Sequence, residues 1–161
     1  MNNVGLDLAN IWKVTCLDKN GNVKWEEEKK NLIVTEGLNH ILDVTFHADT
    51  QVTTWYIGLK GSGTPAAGDT MASHASWSEI TDYSGDRKEW TEGAASSGSM
   101  TNSSSVDFSI TGTATIAGAF LNTASTGTAG TLYGVVDFSS ARSVISGDTL
   151  QVTVTVTAAS A

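Results

Sequence analysis

The sequence is most informative at first for what it has little of. Its 161 residues include a single cysteine, Cys16, and a single proline, Pro65. One cysteine excludes an intrachain disulfide and a multi-cysteine metal site, which favours synthesis in a reducing cytoplasm. No apolar run approaches the ~20 residues that a membrane helix needs. The opening MNNVGLDLAN lacks the basic and apolar regions of a secretory signal, so we predict neither a signal peptide nor a membrane partner.

Basic side chains are also scarce. The chain has nine lysine and arginine residues against seventeen acidic ones, giving a formal net charge of −8. A field of that sign repels nucleic acid, so we predict no nucleic-acid partner. After Trp90 only five charged residues remain, and that half of the chain is built from Ser, Thr, Ala, Gly and Val. This composition is typical of a β-protein with weakly charged outer faces.

A β-hairpin is predicted near the N-terminus. The segment IWKVTCL, residues 11–17, alternates between two faces, and Asn-Gly in the following DKNGN is a strong turn signal. The segment VKWEEE, residues 23–28, then returns as the second strand. The charged run at residues 26–30 is predicted to end this strand as a solvated turn or loop.

One short α-helix is predicted at about residues 35–46. Thr35 is placed to act as its N-cap, and Glu36 lies in the first turn, where an acidic side chain is favourable. The residues that follow helical spacing are Val34, Leu38, Ile41, Leu42 and Thr45, with Phe46 at the end. Since one helix cannot build an all-α fold, we expect it to close one end of a sheet structure.

From Val52 onward the sequence predicts strands. The clearest is TLQVTVTVT, in which every second residue is apolar, as in a strand with one buried and one wet face. Loops rich in Gly, Ser and Thr, such as GAASSGSMTNSSS, separate the strands. This pattern predicts a mainly β fold, an antiparallel β-sandwich or jelly roll, and not a βαβ fold. The predicted strands lie near residues 53–60, 86–92, 104–111, 113–121, 131–138 and 149–157.

The domain organisation that we predict is simple. Residues 1–10 are too polar and irregular to predict a strong strand, so we assign residues 1–12 to an N-terminal arm that orders on a neighbouring protein. Residues 13–161 then form a single β-sandwich domain.

Motifs that carry chemistry are missing from the sequence. His40 and His47 are seven residues apart, whereas zinc-binding pairs on helices are usually three or four apart. The glycine-rich segment 58–70 lacks the Gly-Lys-Ser/Thr ending of a phosphate-binding loop. Glu79, Asp82 and Asp86 form an acidic cluster in SEITDYSGDRKE, residues 78–89, but the same segment contains Arg87 and Lys88, so it is predicted to be a solvated loop. We therefore predict no catalytic residue, no metal and no cofactor.

The aromatic residues have two interpretations. The chain has five tryptophans, and in a β-protein with few large side chains they are expected to fill the core. In TTWYIGLKGSG, strand alternation places Trp55, Ile57 and Leu59 on the core face and Tyr56 on the opposite one. Tyr56 is thus the aromatic residue predicted to be most free to contact a neighbouring protein, and KGSG is predicted as the exit turn.

Taken together, several segments resemble small virion proteins of tailed bacteriophages. These segments are WKVTCLDKNGNVKWEEEKKNLIVTEGLNHILDVTF, TTWYIGLKG, AAGDTMASHASWSEITDYS and TLYGVVDFSSARSVISGDTLQVTVTV. The resemblance implies a capsid decoration (cement) protein without enzymatic activity, often trimeric, that binds the major capsid protein on the outer surface of the head. It also implies synthesis in the host cytoplasm and a final location in the virion.

Three functions therefore stand as alternatives. A cement protein predicts contacts to the capsid or to another subunit, with Asn2, Asn3, Val4, Leu6, Leu8 and Tyr56 as candidates. A tail or head-fibre component that binds host glycans predicts exposed aromatic side chains converging on a groove, with Trp55, Tyr56, Trp77 or Trp90 as the platform. A glycan-cleaving enzyme on a jelly roll is a third alternative.

Overall fold

A computed structural model of the protein describes residues 5–160, which form two antiparallel β-sheets and one α-helix. The first sheet contains β1 (Leu6–Leu17), β2 (Val23–Lys30), β7 (Ser99–Thr101), β8 (Val106–Ser109) and β11 (Thr149–Ser160). The second contains β3 (Leu32–Ile33), β4 (Tyr56–Lys60), β5 (Glu79–Ile80), β6 (Lys88–Glu89), β9 (Ala114–Asn122) and β10 (Leu132–Val144). The helix α1 spans Thr35–Phe46.

The strand order defines a two-layer sandwich. The first sheet has the order β2–β1–β11, and β7 and β8 both pair with β11. The second has the order β3–β10–β9–β4, and β5 and β6 both pair with β4. The inner faces of both sheets contribute to the main apolar core. The predicted mainly β sandwich with one short helix is confirmed, whereas jelly-roll connectivity stays a prediction. Within residues 5–160, no helix is long and apolar enough to cross a membrane.

Most predicted strands are present near their expected positions. β4, β8, β9, β10 and β11 fall within or across the predicted segments, although β10 continues to Val144. The strand predicted near 86–92 is reduced to the two residues of β6. β7 lies in the Ser- and Gly-rich segment that we assigned to a loop. It forms because its backbone pairs with residues 155–157 of β11.

The N-terminal segment departs from the prediction. Residues 6–12, assigned to the arm, belong to β1 and pair with β11 from Leu6 opposite Ser160 onward. The backbone hydrogen bonds of β11 stabilise an extended conformation that the polar side chains alone do not favour. The expectation that residues 1–10 form no strong strand is therefore wrong from Leu6 to Asn10. Residues 1–4 lie outside the described part of the chain.

The charged run of β2 also departs from the prediction, because the strand continues through it to Lys30. Glu27 lies within this run and is buried. Its Oε1 accepts a hydrogen bond from the Ser139 backbone N–H at 2.7 Å, and its Oε2 accepts one from Arg142 Nη2 at 3.0 Å. Both donors belong to the part of β10 where its register with β9 shifts, between Asp137 and Arg142. Glu27 therefore connects the edge strand of the first sheet to the irregular part of the second.

We expect Glu27→Gln to lower the free energy of unfolding by about 2 kcal/mol at neutral pH, because Gln has no charge and keeps only one of the two acceptor oxygens that Ser139 and Arg142 use. Burial by itself raises the pKa of Glu27, but the hydrogen bonds from Ser139 and the charge of Arg142 outweigh it and hold the pKa below its ordinary value. The stabilisation is then complete above the unfolded-state pKa and is lost as pH falls through the native pKa.

Urea unfolding at several pH values checks this prediction. From about pH 6 to about pH 3, wild type should lose more stability than Glu27→Gln, so that the two curves converge. Glu28→Gln is the matched control, because Glu28 is the exposed neighbour of Glu27 on the same strand. An equal effect of both substitutions would contradict the role that we assign to Glu27.

The helix is present at the predicted residues, but its N-terminus differs from the prediction. Val34 is the N-cap residue and no side chain caps the helix, so the assignment of Thr35 is wrong. Glu36 instead accepts hydrogen bonds at Oε2 from the backbone N–H groups of Leu132, at 2.7 Å, and Met71, at 3.2 Å. Gly37 permits this close approach, since a Cβ there would lie 2.3 Å from the Tyr133 carbonyl oxygen. The helix is thereby fixed to the start of β10.

A second, smaller core covers the outer face of the second sheet. Met71 and Trp77, from the long connection between β4 and β5, pack there with Val34, Phe120, Leu132 and Val135.

The five tryptophans lie in or against the two cores. Trp12, Trp77 and Trp90 are buried, and Trp25 and Trp55 are half-buried and pack against the main core. The interpretation of the tryptophans as core residues is confirmed.

Candidate interaction surface

The most prominent surface feature is an apolar stripe on α1. Leu38, Leu42 and Phe46 are spaced four residues apart, so they lie above one another on one side of the helix. Their exposed fractions are 39%, 54% and 81%. We call these three residues the α1 stripe. Phe46 is the one exposed Phe, Tyr or Trp side chain among residues 5–160.

The stripe is exposed because the helix packs through another face. Gly37 is buried against β10, Ile41 packs on the main core, and the His40 ring contacts Trp55 edge-on with centroids 5.5 Å apart. Leu38, Leu42 and Phe46 follow the helical spacing seen in the sequence, but they do not face the rest of the protein. The apolar positions of this helix are too many for one contact face. The number of apolar residues in this helix was therefore the sequence feature that indicated an exposed apolar surface in addition to the packed one.

The end of the stripe is polar. Asp43 Oδ1 lies 3.6 Å from His47 Nδ1, one turn further along, and both side chains are largely exposed. They form an ion pair only when His47 is protonated. The stripe is therefore apolar along its length and polar at one end, and apolar surfaces with polar edges are common in protein–protein contacts.

The contact residues predicted from the sequence do not cluster with the stripe. Leu6 is exposed at the start of β1 and Leu8 is half-buried two residues later. Tyr56 is half-buried at the start of β4, opposite Glu89 and Asn122. These three residues thus lie on two different sheets. Asn2, Asn3 and Val4 lie outside the described residues, and the role of the whole set stays a prediction.

The aromatic residues proposed as a glycan platform are engaged inside the protein. Trp77 is buried, donates a hydrogen bond from Nε1 to Asp69 at 2.9 Å, and stacks on His74. Trp90 is buried and donates from Nε1 to Asn102 at 3.1 Å. Trp55 is half-buried between His40 and Tyr133. In the described part of the chain these rings form no exposed platform.

The loop predicted to be solvated at residues 78–89 contains a buried cation. The Arg87 guanidinium makes a two-pronged ion pair with Glu79, at 2.7 Å from Nε and 2.6 Å from Nη2. It also donates to the carbonyl oxygens of Ala124 and Gly127 and lies over the Phe120 ring. The prediction failed because the partners at 124 and 127 are distant in sequence. Four of the five guanidinium N–H groups donate to these partners, so Arg87 holds two loops together.

The groups that could supply chemistry are few. Burial, followed by the charge of Asp148, raises the pKa of the Cys16 thiol to about 11, which leaves it protonated and unreactive at neutral pH. Among residues 5–160, no three His, Cys, Asp or Glu side chains are placed to hold a metal ion.

The fold and surface define a small β-sandwich protein with an exposed apolar helix stripe. Residues 33–159 match the family described as podophage GP4 fiber I protein gp80. Because the match spans well over half of the chain, the protein belongs to this family. It is therefore a bacteriophage structural protein of the virion, which confirms the resemblance at that level. No curated protein matches the chain.

Proposed function

We propose that the chain is a non-enzymatic structural subunit of a podophage fibre that joins its neighbours through the α1 stripe. The family description supports the fibre assignment. The observation that carries the assembly role is Phe46, an aromatic side chain that is 81% exposed at the end of an apolar helix face.

The energetics favour a role in assembly. Burying a side chain such as Phe or Leu contributes about 1.5–3 kcal/mol relative to leaving it exposed. In a symmetric assembly the same contact is repeated in every subunit, so that modest individual contacts add up. The homotrimer implied by the resemblance to phage virion proteins is one such assembly, and we retain it as part of the proposal.

The buried state of Trp77 and Trp90 argues against glycan binding as the main role, because a sugar platform needs accessible rings.

Decoration of the head, with the major capsid protein as partner, is the second candidate. The same stripe suits it, since a capsid lattice also presents repeated protein sites. Immunogold labelling of intact virions separates the two: label on the fibres supports the proposal, and label on the head surface supports the second candidate.

We expect Phe46→Lys to weaken self-association at least about tenfold, because a charge replaces a ring that association would bury. Sedimentation velocity over a range of concentrations measures the effect. Ile145→Lys is the matched control, since Ile145 is also apolar and 52% exposed but lies in the turn before β11. Unchanged association of Phe46→Lys would overturn the assignment of the stripe as the self-contact.

A further inference from the structure

An apolar cavity lies between the two sheets near α1. Its volume is about 140 Å³. Met100 and Val156 line it from the first sheet, Leu121 and Tyr133 from the second, and Trp55 and Trp90 from the adjoining segments. An engineered protein cavity of about 150 Å³ with an apolar lining stays dry and binds benzene. The cavity described here is therefore large enough for one six-membered ring.

The walls suit an aromatic ligand in particular. Trp55 and Tyr133 meet edge to face, with centroids 5.6 Å apart and planes at 71°. The Trp90 N–H is already donated to Asn102, so Trp90 offers the cavity only its ring. Aromatic rings prefer such tilted and offset contacts, and a ligand ring would extend the cluster.

One polar side chain lies beside this apolar lining without a satisfactory partner. Asn10 is fully buried, and within residues 5–160 neither its Nδ2 nor its Oδ1 has a hydrogen-bond partner in good geometry. Asn10 is directly opposite Val156, which is in turn directly opposite Met100. Side chains directly opposite each other in an antiparallel sheet point to the same face. Asn10 therefore points the same way as two residues that line the cavity.

The Tyr133 hydroxyl is close to Asn10. Burial raises the pKa of Tyr133, and hydrogen bonding by the nearby Asn10 side chain partly offsets this effect. The two groups together place hydrogen-bonding capacity at one side of a cavity that is otherwise apolar. A buried amide without good partners lowers stability, and a ligand with one polar atom would recover part of that loss.

We propose that this cavity is a binding site for a small monocyclic aromatic molecule that carries one hydrogen-bonding group, as phenol does. The cavity wall supplies apolar contact to the ring, and Asn10 supplies the hydrogen bond to the polar substituent. The site is separate from the α1 stripe, so its occupancy does not depend on the proposed fibre role.

Phenol and toluene form the test pair, because they have nearly the same shape and differ in one hydroxyl. Titration of the full-length protein is followed by the NMR signals of the methyl groups of Val156, Met100 and Leu121. We expect these signals to shift with phenol while those of the exposed Val23 and Ile145 stay in place. Absence of a saturable shift, or a shift confined to the exposed methyl groups, would overturn the proposal.

Two variants test the parts of the site. Val156→Phe fills the cavity and should abolish binding of both compounds, whereas Ile145→Phe, the control at an exposed position, should leave both unchanged. Asn10→Leu should lower the ratio of phenol to toluene affinity about fivefold, the effect of one hydrogen bond. An unchanged ratio would show that Asn10 does not contact the ligand. If Val156→Phe does not fold, the methyl shifts of the wild type still decide the location.

Discussion

We expect Arg87→Met to lower the free energy of unfolding by about 3–5 kcal/mol, the effect of removing one partner from a buried ion pair. The Arg87 side chain is 2% exposed and that of Glu79 is 21% exposed, so the carboxylate is left with little access to water. The substitution also removes the donor of two carbonyl oxygens. In the wild type, Arg87 Nη1 lies 2.9 Å from the Ala124 oxygen and Nη2 lies 2.6 Å from the Gly127 oxygen. Urea or guanidinium unfolding at pH 7 measures the loss.

Lys88→Met is the matched control for Arg87→Met. Lys88 is the adjacent residue and its ammonium lies over the Tyr83 ring at 5.6 Å, but it is partly exposed to solvent. Such contacts contribute about 0.5–1 kcal/mol at exposed sites, so the control should lose no more than that. A second variant, Arg87→Met with Glu79→Leu, should recover part of the loss, because it removes the unpaired carboxylate as well. Equal losses in the two single variants would contradict our account of Arg87.

Period-2 alternation was sufficient to predict the strands whose side chains alternate between core and solvent. In β8, Val106 and Phe108 are buried and Asp107 and Ser109 are exposed, as the sequence pattern requires. In β11, Leu150, Val152 and Val154 are buried in the same way. Such strands can be predicted from local sequence, because the alternation of apolar and polar side chains shows directly which residues face the core and which face solvent.

Strands that depend on distant backbone partners were not predictable in this way. The charged part of β2 is a strand because β1 pairs with it and because Glu27 finds Ser139 and Arg142 on β10. β7 consists of residues typical of loops and is extended because β11 lies beside it. Tertiary context overrides local propensity in both cases.

The buried charges were missed for the same reason. Lys60 was assigned to an exit turn, yet it is the last residue of β4 and is fully buried. Its Nζ lies 2.7 Å from Asp137 Oδ1 and donates to the carbonyl oxygens of Gly61 and Gly63. From sequence alone, a lysine followed by glycines predicts an exposed turn. A buried lysine could be predicted there only if the carboxylate that pairs with it were already known. That carboxylate belongs to β10, and its proximity to Lys60 follows only from the order of the strands.

We expect Asn102→Ala to lower the free energy of unfolding by about 4 kcal/mol, from four hydrogen bonds of about 1 kcal/mol each. Asn102 is buried between β7 and β8, at a point where β11 passes from one partner strand to the other. Its Oδ1 accepts from the Val154 N–H at 2.7 Å and from Trp90 Nε1 at 3.1 Å. Its Nδ2 donates to the carbonyl oxygens of Ser104, at 2.7 Å, and Val152, at 3.0 Å.

The Asn102 side chain thus hydrogen-bonds the β11 backbone where its pairing passes from β8 to β7. Its loss leaves two donors, on Val154 and Trp90, and two acceptors, on Ser104 and Val152, unpaired in the interior. Asn20→Ala is the matched control, since the Asn20 side chain is exposed in the first hairpin turn, and we expect a change within about 0.5 kcal/mol. Hydrogen exchange adds a local measurement: in Asn102→Ala, the Val154 amide should exchange much faster relative to global unfolding than in the wild type. If the Val154 N–H remained as protected as its neighbours on β11, the Asn102 side chain would not be its essential hydrogen-bond partner. The loss of stability would then arise from the small cavity alone.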